Sequence, residues 1–357
     1  MTNDLTYDQR MIRICTSLAS AGFFVTLVGR KLNNSIPLAK KPYRQDRLRC
    51  FFNKGFLFYA EYNIRLFFYL MYHSSDALCA IDLDTILPCL FVSKIRKVPR
   101  IYDAHEYFTE MKEVRTRPMV KKFWLAVERF CIPQFKWGYT VSEGLAMEFN
   151  KEYGSEFLVI RNLPVLRPLD QEPGRGNYLL FQGAVNEARG FEFLVPAMKN
   201  IPYKLVVCGD GNYMQQLKAL IKQNRVEDKI ELKGMMLPDD MWPVARQAAL
   251  GLGLAEKEGI NQYHALPNKF TEYMHACLPQ VAMDFPEYRK INEEYNVAVL
   301  MNELTVEKVA HTINALMNDK QALSAMRLNA MKAREIYCWQ KEEEKLILFY
   351  RKILPVE

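Results

Sequence analysis

The segment Leu266-Pro267-Asn268-Lys269-Phe270-Thr271-Glu272 holds the residue types that a phosphorylated ligand needs. Proline is favoured in the first turn of a helix, which places Asn268 and Lys269 at a helix start. The unpaired N–H groups and partial positive charge of such a start suit a phosphate, and Lys269 adds a formal charge. Glu272, one turn on, is placed to hydrogen-bond a ribose diol. The same residues fit a solvated helix start with a charged flank equally well. Other candidates follow the same logic. Gly183 and Gly190 bracket a loop after an apolar run, and both permit close backbone approach. Cys208-Gly209-Asp210-Gly211-Asn212 is a strand-end turn that lacks the third glycine of a dinucleotide fingerprint. Asp103-Ala104-His105-Glu106 ends another apolar run, where a histidine is commonly structural. Asp82-Leu83-Asp84 has the spacing of a divalent-cation site; the alternative makes Asp84 the N-cap of the next helix.

These groups need a scaffold, and the hydrophobic pattern supplies one. Apolar runs at 23–28, 77–81, 98–102, 137–141 and 157–160 alternate with amphipathic stretches at 9–21, 85–96, 120–131 and 144–153. The alternation predicts a parallel sheet with helices on both faces. It breaks over 163–177, where three prolines and two glycines without periodicity mark a linker. A second alternating series then runs from 178 to 336. The expected division is 1–163, a linker at 164–177, 178–336, and a C-terminal helix within 337–357. Residues 1–8 read like the loop after a first strand, so either that strand is absent from the chain or the sheet begins differently. Ligands of doubly wound sheets bind beyond the carboxyl edges of the strands, so a cleft between two such domains is expected.

Residues 266–279 resemble the donor-binding motif of glycosyltransferase family 4 and its GT-B relatives. The resemblance implies an α/β chain of the GT-B type. Two doubly wound Rossmann-like domains would face a central cleft, with the C-terminal helix crossing back to the first. It gives Glu272 the nucleotide ribose. The loop 181–190 resembles the family's phosphate loop, with Arg189 in its lysine position and Ala184 where an arginine is usual. Arg189 and Lys269 are then the candidates for neutralising a diphosphate. Gly183, Gly190, Gly209, Gly211 and Asn268 would lie along the donor. His264 stands where the family often has an acidic residue facing the donor sugar, and Glu256, Glu258 and Asn261 are nearby substitutes. In the first half, His105 resembles the family's sugar-side histidine. Arg10, Asp103 and Glu106 would fall on the acceptor side. The implied reaction moves a sugar from a UDP- or GDP-sugar to an acceptor hydroxyl, with retention, in cell-surface polysaccharide or glycolipid synthesis. No cofactor and no metal are expected. Two alternatives remain open: a GT-B sugar-nucleotide epimerase and a catalytically silent nucleotide- or glycan-binding subunit.

Composition bounds the setting. Half of the 357 residues are apolar and a quarter charged, an ordinary globular balance. No cysteine lies two or three residues from another, so no zinc ribbon or redox pair is legible, and reduced thiols in a cytoplasmic protein are expected. Asp4, Asp8 and Arg10 stand where a signal peptide would be apolar. Residues 1–163 hold 24 basic and 16 acidic side chains, so the positive excess lies in the first half. That excess suits anionic lipid or a phosphorylated acceptor. The partners expected are a nucleotide sugar, a glycan or lipid-linked acceptor and an anionic membrane surface, with no nucleic acid. The stretch 51–72 is apolar but interrupted by Lys54, Glu61 and Arg65, which argues against a membrane span. With Lys40, Lys41, Arg44, Arg47 and Arg49 beside it, peripheral contact is the membrane reading; a buried strand-helix segment is the other.

Overall fold

The computed structural model describes residues 1–6, 8–169 and 176–354. Residues 170–175 of the expected linker and the last three of the expected C-terminal helix lie outside the described residues. The chain forms two compact units. The first comprises Met1–Asn162, Gly259–Ala265 and Trp339–Glu357; the second comprises Leu163–Glu258 and Leu266–Cys338.

In the first unit, β1 (Thr26–Lys31) and β2 (Arg44–Arg49) pair in parallel. A four-stranded parallel sheet follows the order β3 (Leu78–Ile81), β4 (Arg100–Ala104), β5 (Trp137–Thr140), β6 (Leu158–Val159). Residues 1–3 run beside β1. The Met1 ammonium donates to Val28 O at 2.9 Å and Arg30 N–H donates to Asn3 O at 3.0 Å. The strand β2 has no apolar alternation, because it is Arg-Gln-Asp-Arg-Leu-Arg. Its charges suit a sheet edge, where they discourage pairing with other chains. Two of its arginines are engaged, Arg47 with Asp4 at 2.7 Å and Arg44 with Asp46 at 2.9 Å.

The stretch 51–72 becomes one helix, Gly55–Tyr72, which buries the single stripe Phe58, Tyr62 and Leu66. Asp84 is not the N-cap of the helix Ile86–Arg96. Thr85 holds that position, and the Asp84 carboxylate instead accepts the Thr2 hydroxyl at 2.5 Å. Other helices begin as their sequences dictate. Asp8, Ser142 and Thr305 each cap a first turn through the side chain, and Pro118, Pro238 and Pro286 open theirs.

The helix Trp339–Ile353 belongs to the first unit. Trp339, Leu346 and Tyr350 enter a core with Ile14, Leu18 and Tyr139. The Trp339 indole N–H donates to Ser17 Oγ at 2.9 Å, and Glu342 accepts the Arg161 amide at 2.9 Å.

The second unit is built on β7 (Tyr178–Gln182), β8 (Lys204–Cys208), β9 (Ile230–Gly234), β10 (Leu250–Gly253), β11 (Gln280–Met283) and β12 (Ala298–Met301). Their order is β12-β11-β10-β7-β8-β9, all parallel. Leu179, Leu180, Phe181, Leu205, Val207, Leu250 and Leu252 are fully buried, as a sheet covered on both faces requires. The order reverses between β7 and β10. A switch point of this kind opens a crevice at the carboxyl ends.

The tie made by Trp339 can be measured. Trp339→Ala should destabilise the first unit by about 3–5 kcal/mol, the usual cost of emptying an aromatic core site. Denaturant titration reads it, and a loss below about 1 kcal/mol would show that the C-terminal helix is dispensable to that core.

Candidate active site

The carboxyl ends of β7 and β8 are forced together by glycine. Gly183 N–H donates to Cys208 O at 2.9 Å, and Gly209 lies so close that a β-carbon on it would sit 1.9 Å from Gly183 O. Gly209 also has φ +149°, so no side chain is tolerated there on either count. The loop that follows is cross-braced. Val185 N–H donates to Asp210 O at 3.0 Å, and Asn186 Oδ1 accepts the Asn212 amide at 3.2 Å, next to Gly211. Gly190 takes φ +75° and precedes the helix Phe191–Ala197.

Onto this edge comes the helix Asn268–His275, with Pro267 before its first turn. The Lys269 ammonium lies 3.7 Å from the centroid of the Phe181 ring. That is cation–π range. Its Nζ is buried and has no hydrogen-bond partner among the described residues. Burial, and then the Arg189 guanidinium, push its pKa well below the ordinary lysine range, while Glu272 pulls weakly the other way. Gln182 ends β7, is 4% exposed, and donates through Nε2 to the Glu272 carboxylate. Its Oε1 has no partner among the described residues. The Tyr273 hydroxyl ties the helix to the strand, donating to Leu180 O at 3.0 Å and accepting the Gln182 amide at 3.0 Å. The second unit thus gathers Gly183, Gly209, Lys269 and Glu272 at its switch point. Arg189 is near enough to act electrostatically on Lys269.

The first unit has its own cluster where β3 and β4 end in register, Ile81 opposite Asp103. Arg10 and Asp103 form a fully buried ion pair at 2.8 Å, and Arg10 also donates to Ile160 O at 3.1 Å. Asp82 has φ +55°, an uncommon conformation for this residue. Its carboxylate accepts the His105 amide at 2.9 Å and the Glu106 amide at 3.3 Å, which fixes the turn carrying both side chains. The His105 ring Nδ1 is 3.9 Å from Asp82, too far for a hydrogen bond. Burial, then Arg10, lower the His105 pKa, so the imidazole is neutral near pH 7.

His264 falls elsewhere. The helix Gly259–His264 belongs to the first unit, where the His264 ring lies against Gly144; a β-carbon on Gly144 would meet its Nδ1 at 2.2 Å. Asn261 is likewise engaged there, accepting the Tyr107 amide at 2.9 Å. The structure therefore does not bring His264 or Asn261 into the unit that holds Glu272. Two residues gained roles that spacing did not assign. Gln182 was legible only as a polar residue closing an apolar strand just before a glycine. Asp82 was legible as half of an Asp-x-Asp pair, and its bonds run to backbone amides.

Residues 166–333 match the family model for glycosyl transferases group 1. Sucrose-phosphate synthase from Thermosynechococcus elongatus superposes with a TM-score of 0.77 at 14% identity, covering 97% of this chain and 92% of that one. WaaG, a glycosyltransferase of lipopolysaccharide biosynthesis, gives 0.73 at 16% identity over 99% and 98%. Anabaena HepE, in complex with UDP and glucose, gives 0.74 at 13% identity over 98% and 97%. No curated protein matches the chain. Residues 166–333 match the group 1 glycosyltransferase model, and the chain as a whole has the GT-B fold.

Proposed function

We propose that the protein moves a sugar from a nucleoside-diphosphate sugar to an acceptor hydroxyl, with retention, as family 4 enzymes do. The acceptor would be a growing cell-surface glycan or glycolipid, met at an anionic membrane surface from the cytoplasmic side. One observation carries the donor half of this reading: a buried lysine cation without a hydrogen-bond acceptor beside a carboxylate, at the switch point of the second unit's sheet. A diphosphate supplies the anion that Lys269 lacks, and Arg189 adds a second charge. Glu272 and Gln182 then meet the ribose. Glu272 has its carboxylate oriented by the Gln182 amide, and Gln182 Oε1 offers a further acceptor to a hydroxyl.

Catalysis on this reading is positioning plus stabilisation of the charge that builds on the leaving diphosphate. Lys269 and Arg189 provide that stabilisation without a metal. No side-chain nucleophile is needed if the leaving phosphate takes the acceptor proton. The neutral imidazole of His105 is the proposed sugar-side group. It offers one N–H donor and one acceptor to sugar hydroxyls. Named structural relatives support the donor class, since HepE is described in complex with UDP and with UDP-glucose.

Three outcomes test the site. Arg189→Ala should lower turnover of the cognate donor by about a hundredfold or more, the scale of losing one charge-stabilising group, and Glu272→Ala should lower kcat/KM by about tenfold or more, the scale of losing one hydrogen bond to a charged group. Wild-type rates in both would overturn the assignment. Gln182→Leu should raise KM for the ribonucleotide donor and narrow the preference for ribose over deoxyribose nucleotides. Unchanged selectivity would remove Gln182 from the ribose contact.

The third outcome is a pH dependence. Lys269 is cationic only below its lowered folded-state pKa, so affinity for a nucleoside diphosphate should fall as pH rises through that value. The unfolded chain keeps an ordinary lysine pKa of about 10.4 and binds more protons in that window. Stability of the ligand-free protein should therefore rise over the same interval. Calorimetric titration of UDP and thermal melts from mildly acidic to alkaline pH read the two slopes. Lys269→Arg should flatten both, and a pH-independent affinity in the wild type would sink the electrostatic role.

A further inference from the structure

We propose that the first unit docks on an anionic lipid surface through an aromatic face built by three helices. The inference rests on the peripheral-membrane part of the proposed function and names the surface that serves it. The helices are Gly55–Tyr72, Ile86–Arg96 and Pro118–Cys131. All three pack inward on one core, through Tyr59, Leu90, Trp124 and Val127 among others. Outward they present Phe56 (67% exposed), Phe91 (44%), Met119 (80%), Phe123 (43%) and Phe130 (53%).

These rings meet in pairs across neighbouring helices. Phe56 meets Phe123 edge-on at 5.7 Å, and Phe91 meets Phe130 at 6.5 Å. Met119, Phe123 and Phe130 recur at helical spacing along one helix and join the two contacts. Single exposed apolar residues need no explanation, but a band of them marks an interaction surface.

The charges select the partner. Glu61 and Glu128 are the acidic residues of these three helices. Glu61 accepts the Phe51 and Phe52 amides and pairs with Arg65 at 2.8 Å. Glu128 is 1% exposed and accepts the Tyr153 hydroxyl. Neither presents a carboxylate on the band. Exposed Lys94, Lys122 and Arg129 flank the rings; Lys94 donates to Gln134 and Arg129 lies 3.6 Å from the exposed Glu152, while the stems are long enough to lie along a bilayer with the charge at the headgroups. Apolar rings set among basic side chains are the complement of an anionic bilayer surface. The face lies on the surface and does not span it. The helix Gly55–Tyr72 keeps Phe58, Tyr62 and Leu66 in the protein core, and no helix among the described residues is long and apolar enough to cross a membrane.

Vesicle sedimentation tests the proposal. The wild type should bind vesicles of phosphatidylcholine mixed with phosphatidylglycerol, bind phosphatidylcholine alone far less, and be released by salt. Phe56→Ser/Met119→Ser/Phe130→Ser changes exposed side chains and should weaken vesicle binding about tenfold or more. Lys94→Glu/Lys122→Glu leaves the apolar contacts intact and should abolish the preference for anionic vesicles, so it carries the test if the triple variant melts early. Both variants should bind UDP in solution as the wild type does. Wild-type vesicle binding by both variants, or no anionic preference in the wild type, would overturn the docking face. So would a concentration-dependent dimer that the triple variant abolishes, because a second copy would then cover the band. Failure of the wild type to bind UDP counts against the transferase reading instead, and the two failures are separable.

Discussion

The second unit is organised around a buried lysine whose amine has no hydrogen-bond partner among the described residues. Lys269 stands over the Phe181 ring with its Nζ out of water and without a hydrogen-bond acceptor among the described residues. Removing an ammonium from water is costly unless something compensates it, and a ring face supplies only part of what water gave. The rest of the local structure holds this arrangement in place. Tyr273 fixes the helix to β7 through its hydroxyl, and Phe270 stacks on Tyr288 at 4.7 Å beneath the first turn. In the proposed function an anion supplies the partner that this buried group lacks.

The same reasoning explains the glycines at the strand ends. In the proposed function a phosphate reaches Lys269 past the loops after β7 and β8, which must then leave the edge open. The contact of Gly209 on the Gly183 carbonyl collapses two loops into the thickness of one. The first unit solves a different problem with different means. Its carboxyl edge carries opposite charges, Arg10 and Asp103, which neutralise each other out of water. Such a pair adds little net stability, but loss of either partner leaves a buried charge uncompensated. Asp82, held at positive φ, gives its carboxylate to the His105 and Glu106 amides and so sets the turn on which both side chains stand.

Much of this was legible in the sequence wherever one residue type has one physical use. The buried runs of β7, β8, β10 and β11 had to be strands of a covered parallel sheet, and Pro267 had to open a helix. Lys269 and Glu272 follow from those two facts. What stayed illegible depends on tertiary partners. The strand β2 has no apolar period, because its order comes from pairing with β1 and from the Arg47–Asp4 ion pair. Asp84 looked like a cap because a carboxylate precedes a helix, yet the Thr2 hydroxyl captured it from far along the chain. His264 sits eight residues before Glu272 in sequence, but the chain crosses to the first unit between Glu258 and Leu266. Sequence distance measures nothing across such a crossing.

Charge shows the same limit from the other side. The first half of the chain carries a net positive excess, and the Lys40–Arg49 cluster is its densest run beside the aromatic stretch. In the fold, Arg44 and Arg47 of that cluster are already paired with carboxylates. The cations that flank apolar surface come from helices further along, Ile86–Arg96 and Pro118–Cys131. The aromatic residues of 51–72 divide as well. Phe58 and Tyr62 belong to the core, and Phe56 belongs to the surface. A helix of mixed aromatic and basic residues has two faces, one set by core packing and one exposed. Composition averages the two faces, and only the helical period, read against a known core, separates them.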